Sequence, residues 1–483
     1  MKKQAFNPYL PSYEYIPDGE PHVFGDRVYV YGSHDRFDGY SFCLNDYVCW
    51  SAPVDDLSDW RPEGIIYPRS EDPFGRHNQN RISYGFAAPD ACKGPDGKYY
   101  FYYFMGDGPI KVAVSDVPAG PFHYYGCVRY ADGTTLGKRD EPKMFDPGIL
   151  VDDGRIFLYS GFGLASNPLL LHGEKPTEHG AMVFELETDM LTVKADSEKV
   201  RYIGIPGRNE GKGTKFEGHE FLEASSMRKF DGKYYFIYSS LQSHELCYAV
   251  SDNPLCGFEY GGVLVSNGDI GYKGRNKQDA LNFTGNTHGS IEKIGEKYYV
   301  FYHRQTNKKQ FSRQGCAEEL RFENGKFYQA EMTSCGLNGK PLEGKGTYEA
   351  RIACNLQGKN GTRFYGAFKG IRPWEPYFTQ TGKDREENPD QYIANMRDGA
   401  KAGFKYFWME KPEKIAVIGC GNAQGVMEVR VQDGAQPVAV IPIQATKEKK
   451  AYTAPMQPVE GKQVLYFQYR GKGRFDFHAF RLG

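Results

Sequence analysis

Short apolar runs rich in Tyr and Phe, each introduced by a turn pair, recur through the first two-thirds of the chain. Five such runs occupy residues 25–31, 96–102, 153–159, 231–238 and 295–302. Each begins with Asp-Gly, Gly-Asp or Gly-Glu, and pairs of this kind favour the positive φ angles of tight hairpin turns. The pattern therefore predicts five β-hairpins, whose turns are 56 to 78 residues apart.

The spacing of the hairpins indicates how they are assembled. Each interval has room for one four-stranded sheet and its loops. Five such sheets around an axis form a five-bladed β-propeller, in which radial repetition protects the strand edges. Five hairpins stacked in a sandwich are the alternative. We predict an all-β chain in which residues 1–333 form the propeller.

The hairpin repeat stops after about residue 333, and the pattern changes. Residues 336–346 are rich in Gly and Lys, which is typical of a domain edge. Farther on, the runs 425–431 and 463–469 alternate in polarity with a period of two residues. We predict a second domain over residues 340–483, a β-sandwich of the jelly-roll kind. We expect its Trp374 and Trp408 to be buried, with sugar stacking as the alternative.

The composition supports a sheet-rich fold and argues against some classes of binding partner. The chain has 36 Tyr and 32 Phe, and aromatic residues fit pleated, half-buried surfaces. Its 60 Lys and Arg against 61 Asp and Glu argue against a nucleic-acid partner. No apolar run reaches the roughly 18 residues of a membrane helix, so we expect no membrane partner. The sequence does not determine the oligomeric state.

The cysteines and the N-terminus bear on the compartment. Ten cysteines lie at irregular spacings without a C-x-x-C pair, which is typical of free thiols in a reducing environment. No apolar run follows the lysines at the N-terminus. We therefore expect a cytoplasmic protein.

Three carboxylates precede hairpins at a common offset. Asp18, Asp146 and Glu223 lie seven or eight residues before the turns at residues 26, 153 and 231. Equivalent positions on different blades point toward the same axis, so the three side chains would meet in one site. The alternative is that they are solvated loop acids or turn caps.

Short motifs around these carboxylates occur in the order seen in one known family. They are Asn7-Pro8 with Asp18 and the strand end 31–35, Ala88-Pro89-Asp90, Asp146-Pro147-Gly148, Glu223-Ala224-Ser225 and His288-Gly289-Ser290. On these motifs, residues 7–330 resemble glycoside hydrolase family 43, whose members are five-bladed propellers with a central Asp/Asp/Glu trio. The C-terminal segment resembles, more weakly, the family 6-type carbohydrate-binding sandwich.

The resemblance implies a role for each of the three carboxylates. Asp18 would be the general base and Glu223 the general acid of an inverting glycosidase. Asp146 would raise the pKa of Glu223 by its like charge and orient it. Glu20 is a rival for the place of Asp18, because the family often has Pro after the base and Pro21 follows Glu20.

Other motif residues become candidates for sugar binding. They are His34, Asp35, Asp90, His288 and Arg313, with Arg304 as a competitor for the place of Arg313. For His34 and Asp35 the alternative is a strand-end cap, and for His288 it is a hydrogen-bonded core histidine. His288 is also the candidate ligand of a structural calcium. Waters would have to complete the shell, because the sequence has no Asp-x-Asp-x-Asp loop. The chemistry requires no cofactor.

The resemblance and the residues together predict an enzyme. We expect an exo-acting β-xylosidase and/or α-L-arabinofuranosidase whose partner is an oligosaccharide from plant polysaccharides. A galactosidase or galactanase on the same scaffold is one alternative, and a propeller that binds glycans without cutting them is another. Three separately placed carboxylates favour the enzyme, because sugar binding alone needs no acid/base pair.

Overall fold

The computed structural model describes residues 3–74, 85–105, 108–164, 171, 174–366, 370–386 and 389–483. The helices described from end to end are short 3₁₀ turns at Arg69–Glu71, Ala195–Ser197, Tyr272–Gly274, Lys277–Asp279, Gly336–Asn338 and Ala350–Ile352. Within the described ranges, no helix has the length and apolar character needed to span a membrane. The other elements whose two ends are described are β-strands.

The first three blades are four-stranded antiparallel sheets. Blade 1 contains β1 (Glu20–Phe24), β2 (Arg27–Tyr31), β3 (Tyr47–Pro53) and β4 (Arg61–Tyr67). Blade 2 contains β5 (Asp90–Lys93), β6 (Tyr99–Tyr103), β7 (Lys111–Ser115) and β8 (His123–Cys127). Blade 3 contains β9 (Gly148–Asp152), β10 (Arg155–Ser160), β11 (Met182–Leu186) and β12 (Arg201–Tyr202).

The last two blades complete the ring. Blade 4 contains β13 (Phe221–Phe230), β14 (Lys233–Ser240), β15 (Glu245–Ser251) and β16 (Glu259–Ser266). Blade 5 contains β17 (Ile291–Ile294), β18 (Lys297–Arg304) and β19 (Gln314–Leu320), and the small hairpin β20 (Phe322–Glu323) and β21 (Lys326–Phe327) follows it. The N-terminal segment lies beside β19. There, Tyr9 N–H donates to Gly315 O at 3.4 Å and the Asn7 amide bonds both backbone groups of Ala317.

The five predicted hairpins are confirmed as the first two strands of the five blades. In each blade the first strand is innermost, and β1 contacts β5 and β17 while β9 contacts β5 and β13. Ser226 Oγ, on β13, lies 2.7 Å from Ser290 Oγ, next to β17, and closes the circle. This is the predicted five-bladed propeller, with the start of every innermost strand at the same axial end.

Aromatic side chains fill the space between neighbouring blades. Tyr47 on blade 1 stacks on Phe86 at 4.3 Å between ring centroids and meets Phe101 on blade 2 edge-on at 5.0 Å. Tyr159 on blade 3 packs against Phe236 on blade 4 at 5.7 Å. Such pairs add to the stabilisation from apolar burial. The aromatic excess of the composition is therefore largely inter-blade core.

Two six-stranded sheets pack face to face in the C-terminal part. One contains β22 (Leu342–Glu343), β24 (Asn355–Gln357), β27 (Lys401–Glu410), β29 (Gln424–Arg430), β30 (Ala439–Ile443) and β32 (Glu460–Lys472). The other contains β23 (Gly346–Glu349), β25 (Tyr377–Gln380), β26 (Gln391–Met396), β28 (Lys414–Gly421), β31 (Thr446–Pro455) and β33 (Phe475–Leu482). Sandwich strands thus begin at Leu342, fifteen residues after β21 ends.

The two tryptophans of the sandwich do not lie in its core. Phe404, Phe467 and Phe480 fill the space between the sheets. Trp374 and Trp408 are 58% and 54% exposed, so the expectation of burial is wrong for both. Trp408 lies on β27 beside the inward-facing Phe407, and alternation along a strand turns its ring outward.

The sandwich is joined to the propeller by buried polar contacts. Lys405 on β27 donates to Asp269 at 3.2 Å and to Glu331 at 2.9 Å, and it is almost fully buried. Arg304 on β18 donates to the carbonyls of Arg351 and Ala353. These contacts fix the sandwich against blade 5.

Candidate active site

The three predicted carboxylates lie at one end of the propeller axis. Asp18 and Asp146 each come two residues before an innermost strand, β1 or β9, and Glu223 is the third residue of β13. Asp18 and Asp146 have positive φ angles of 58° and 44°, a conformation that Asp tolerates better than most residues. The turns therefore direct both side chains to the axis instead of continuing the strand.

Asp18 is a buried carboxylate held by a cation. Its Oδ1 accepts a 2.8 Å hydrogen bond from Arg313 Nη1 and lies 3.3 Å from His303 Nδ1. Burial alone would raise the pKa of Asp18, but Arg313 and His303 outweigh it and hold that pKa well below its usual range. Asp18 is therefore ionised and able to accept a proton from water.

Asp146 joins two parts of the site. Its Oδ2 accepts the backbone N–H of Ala224 at 3.2 Å and lies 3.3 Å from His288 Nδ1. Ala224 follows Glu223, so Asp146 fixes the backbone that carries Glu223. Burial raises the pKa of Asp146, and the charge of His288 opposes that rise.

Glu223 differs from the two aspartates in its charge state. The pairing of β13 with β14 is irregular between Phe221 and Ser226, and Ala224 has a φ of 67°. A bulge of this kind re-aims a side chain out of the regular alternation. Burial of the Glu223 carboxyl and the nearby charge of Asp146 raise its pKa to about 8, and Asp18 adds to the rise. Glu223 is therefore a protonated acid beside two carboxylates.

His288 lies between carboxylates on the axis. Its Nδ1 faces Asp146, and its Nε2 lies 3.7 Å from Glu20 Oε1. Burial lowers the pKa of His288, but Asp146, Glu20 and Asp18 together raise it well above its ordinary value. Gly289 permits this placement, because a Cβ there would lie 1.9 Å from Phe301 O.

Glu20, the rival of Asp18, is engaged elsewhere. Its Oε2 accepts hydrogen bonds from Arg228 Nη2 at 2.8 Å and Ser226 Oγ at 2.9 Å. Arg228 is a buried guanidinium in the axis, 3.7 Å from Glu292. Glu20 is thus paired with Arg228 on the propeller axis, whereas Asp18 is paired with Arg313 and stays the candidate base.

The residues around His288 on the propeller axis do not form the calcium site that the resemblance implies. Calcium takes six to eight oxygen ligands. Among the described residues near His288, Glu20 Oε1 accepts no hydrogen bond, whereas Arg228 already neutralises the other oxygen of Glu20. His288 faces carboxylates with both nitrogens, which favours a proton on the ring over a metal. The positive charge in the axis thus comes from Arg228 and His288.

Three predicted sugar-binding residues are buried and hydrogen-bonded within the protein, and their contact with a sugar stays a prediction. Asp35 accepts three hydrogen bonds from Arg313 and one from Cys43 N–H. Asp90 accepts from the backbone of Ala91 and Ile149 and contacts His22 at 2.7 Å. His34 is the third such residue.

His34 contacts the sandwich. Burial lowers its pKa to about 3, so the ring is neutral. Its Nδ1–H donates to Asp46 O at 2.6 Å and its Nε2 accepts from Arg385 of the sandwich, also at 2.6 Å. Arg385 also pairs with the buried Glu14 at 2.9 Å. A loop of the second domain thus supports the wall of the site.

Arg313, and not Arg304, belongs to the site. Its guanidinium bridges Asp18 and Asp35 and lies 4.6 Å from the centre of the Phe42 ring. Phe42 is partly exposed and meets the partly exposed Phe311 edge-on at 4.8 Å. These two rings, beside the ionised Asp18, form an apolar wall on which a sugar ring could pack.

Sequence reasoning missed His303, Phe42 and Phe311. His303 is the last residue but one of β18, in the fifth hairpin. Its position is equivalent to residues 31–35 of the first hairpin, and that equivalence was the available signal. Phe42 and Phe311 lie in loops without a repeat, so no pattern marked them.

Comparison with known proteins agrees with this geometry. Residues 15–327 match the family model described as glycosyl hydrolases family 43. The chain is 47% identical over its full length to a xylosidase/arabinosidase from Thermoclostridium stercorarium, of which the match covers 99%. It is 29% identical, over 61% of its length, to a xylosidase/arabinosidase from Bacteroides ovatus, of which 87% is covered.

Solved structures support the same assignment. A family 43 β-xylosidase/α-arabinofuranosidase from a compost metagenome, solved with xylotriose in a calcium-free form, has a TM-score of 0.51 at 25% identity. That match covers 68% of this chain and 98% of the other. A family 43 arabinoxylan arabinofuranohydrolase from Bacillus subtilis covers 99% of this chain, with a TM-score of 0.51; its 19% identity supports the fold alone. The chain is a glycosidase and belongs to glycosyl hydrolases family 43.

Proposed function

We propose that the protein is an exo-acting β-xylosidase and/or α-L-arabinofuranosidase that works with inversion on oligosaccharides from plant polysaccharides. The observation that carries the proposal is the contrast between an ionised Asp18 and a protonated Glu223 in one site. Inverting hydrolysis needs one carboxylate to activate water and one acid to protonate the leaving oxygen. The names of the two xylosidase/arabinosidase relatives support the sugar class.

The reaction divides between the two residues as follows. Asp18 accepts a proton from a water molecule whose oxygen attacks the anomeric carbon. The glycosidic C–O bond breaks, and Glu223 gives its proton to the departing oxygen. Asp146 holds the Glu223 backbone and keeps the acid protonated. Arg313 keeps Asp18 ionised and oriented.

The surroundings of the site support a terminal sugar as the substrate. Asp384 and Arg385 of the sandwich contact residues 34–45 of blade 1, with Asp384 accepting Phe37 N–H at 2.6 Å. This loop closes one side of the axial end, as a pocket for a chain end requires.

The axial charge is balanced by Arg228 and His288, so we propose no calcium and no cofactor. All ten cysteines are free, which supports a reducing compartment such as the cytoplasm.

A panel of nitrophenyl glycosides tests the proposal. We expect cleavage of the β-D-xyloside or the α-L-arabinofuranoside and loss of that activity in Glu223→Ala. Glu217→Ala, an exposed glutamate that precedes the same strand, is the matched control and should retain activity. Cleavage of β-galactosides alone would favour the galactosidase alternative. A protein that binds sugar equally well with and without Glu223 and cleaves no glycoside would be a lectin.

A further inference from the structure

Three side chains of different chemistry converge on blade 4, away from the axis. His219 Nδ1 lies 2.6 Å from Glu245 Oε1, and Cys247 Sγ lies 3.6 Å from that oxygen and 3.8 Å from the same ring nitrogen. Glu245 and Cys247 are two residues apart on β15, so both point to one face of the sheet. His219 reaches them from the segment before β13.

The orientation of the three groups distinguishes a metal site from a proton relay. In a Cys–His–carboxylate relay, the thiol and the carboxylate contact opposite nitrogens of the imidazole. Here Cys247 and Glu245 both face Nδ1 of His219. One ligand atom from each residue therefore points to a common position, the arrangement that a bound cation requires.

We propose that His219, Glu245 and Cys247 form a binding site for a zinc-like divalent metal ion. Bonds of about 2.0–2.3 Å in a tetrahedral site separate sulfur from nitrogen or oxygen by roughly 3.5 Å, close to the observed 3.6 and 3.8 Å. The His219–Glu245 contact has to open by less than an ångström. Zinc accepts a thiolate, an imidazole and a carboxylate as ligands, whereas calcium takes oxygen ligands and would leave the sulfur and the nitrogen unused.

The surroundings supply the outer contacts and the access that such a site needs. Ser240 Oγ donates to Glu245 Oε1 at 2.6 Å, Tyr260 OH lies 3.8 Å from Cys247 Sγ, and the His219 ring stacks on Tyr260. Contacts of this kind orient metal ligands. Cys247 and Glu245 are buried, whereas the His219 side chain is 32% exposed. A cavity of about 670 Å³ is lined by His219 and Glu245, so two of the three groups are reached from solvent.

Binding here would stabilise the segment that leads to the catalytic acid. His219 precedes Glu223 by four residues, and its carbonyl already accepts Tyr238 OH at 2.8 Å. A metal would join this segment to β15. We therefore expect the ion to raise Tm without taking part in glycoside hydrolysis.

Cobalt(II) titration of the full-length protein, stripped with EDTA, tests the proposal. We expect one equivalent to produce the near-ultraviolet thiolate-to-cobalt charge-transfer band, and zinc to displace it. Cys256→Ser removes an exposed thiol of the same blade and should leave the band unchanged. Cys247→Ser should abolish it, and His219→Gln should weaken binding at least tenfold, with folding verified by circular dichroism. No band in the wild type, or a band that survives Cys247→Ser, would overturn the proposal.

Discussion

Arg313 Nη1 donates to Asp18 Oδ1 at 2.8 Å across 295 residues of sequence. The same guanidinium is held by Asp35 through Nε at 2.9 Å and Nη2 at 3.0 Å. Asp35 thus orients Arg313, and Arg313 keeps Asp18 ionised. The three residues join the loop before β1, the loop after β2 and the loop before β19 into one charged unit.

Replacing Arg313 should move the acid limb of the pH profile. An opposite charge at this distance lowers a carboxyl pKa by about 1–3 units, so its removal raises the pKa of Asp18. A base must be ionised, and activity in Arg313→Met should therefore fall at a pH about 1–3 units higher than in the wild type. The pH dependence of kcat/KM measures this.

Two further variants keep the Arg313 experiment interpretable. Arg313→Met combined with Asp35→Asn avoids leaving Asp35 buried without a partner, and Arg313→Lys keeps the charge. The acid limb of the double variant should lie at a higher pH than in the wild type. The acid limb of the lysine variant should move by less. An acid limb at the same pH in all three would mean that Arg313 does not tune Asp18.

Asp146→Asn should move the alkaline limb in the opposite direction. The like charge of Asp146 helps to raise the pKa of Glu223 to about 8, so the neutral amide should lower that pKa. An acid must be protonated, and the variant should lose activity at a lower pH than the wild type. Asp116→Asn, at an exposed position of blade 2, should leave the alkaline limb in place. If the alkaline limbs of Asp146→Asn and the wild type lie at the same pH, Asp146 does not raise the pKa of Glu223.

The role of Glu223 predicts a dependence on the leaving group. A general acid contributes about 10²–10⁴-fold, and only where the leaving oxygen needs a proton. Glu223→Gln should lose about that factor in kcat/KM on xylobiose and far less on a dinitrophenyl xyloside. Equal losses on the two substrates would show that Glu223 does not protonate the leaving group.

Lys405 should be essential to the joint between the two domains. Its ammonium is buried with Asp269, which is fully buried, and Glu331. Lys405→Met would leave these carboxylates uncompensated, and we expect the free energy of unfolding to fall by about 3–5 kcal/mol. Lys233→Met breaks an exposed pair with Asp252 and should cost about 1 kcal/mol or less. Urea denaturation of both variants measures the difference. Equal losses in the free energy of unfolding would show that the buried ion pairs of Lys405 contribute no more than the exposed pair.

The repeat made much of the architecture predictable. The turns at 25–26, 153–154 and 231–232 lie between the first two strands of their blades, as expected. The seven or eight residues from Asp18, Asp146 and Glu223 to those turns contain most or all of one innermost strand, and such strands start at the axis. The local sequence was therefore enough to predict both the blades and the positions of the three carboxylates within them.

Contacts between distant segments were not predictable in the same way. Asp35 and His34 lie in the loop after β2, and nothing nearby in the sequence reveals that their partners are Arg313 and, from the sandwich, Arg385. The outward turn of Trp408 depends on which face of β27 meets the other sheet. The hydrogen-bond partners of a side chain depend on the tertiary fold, and a short sequence motif does not reveal them.

The stereochemistry of hydrolysis tests the central claim most directly. If Asp18 activates water and Glu223 protonates the leaving oxygen, attack occurs on the face opposite the departing group. Proton NMR during cleavage of a nitrophenyl β-D-xyloside should then show α-xylose as the first product, before mutarotation forms the β-anomer. β-Xylose as the first product would mean a retaining mechanism and would contradict the assignment of Asp18 as the base.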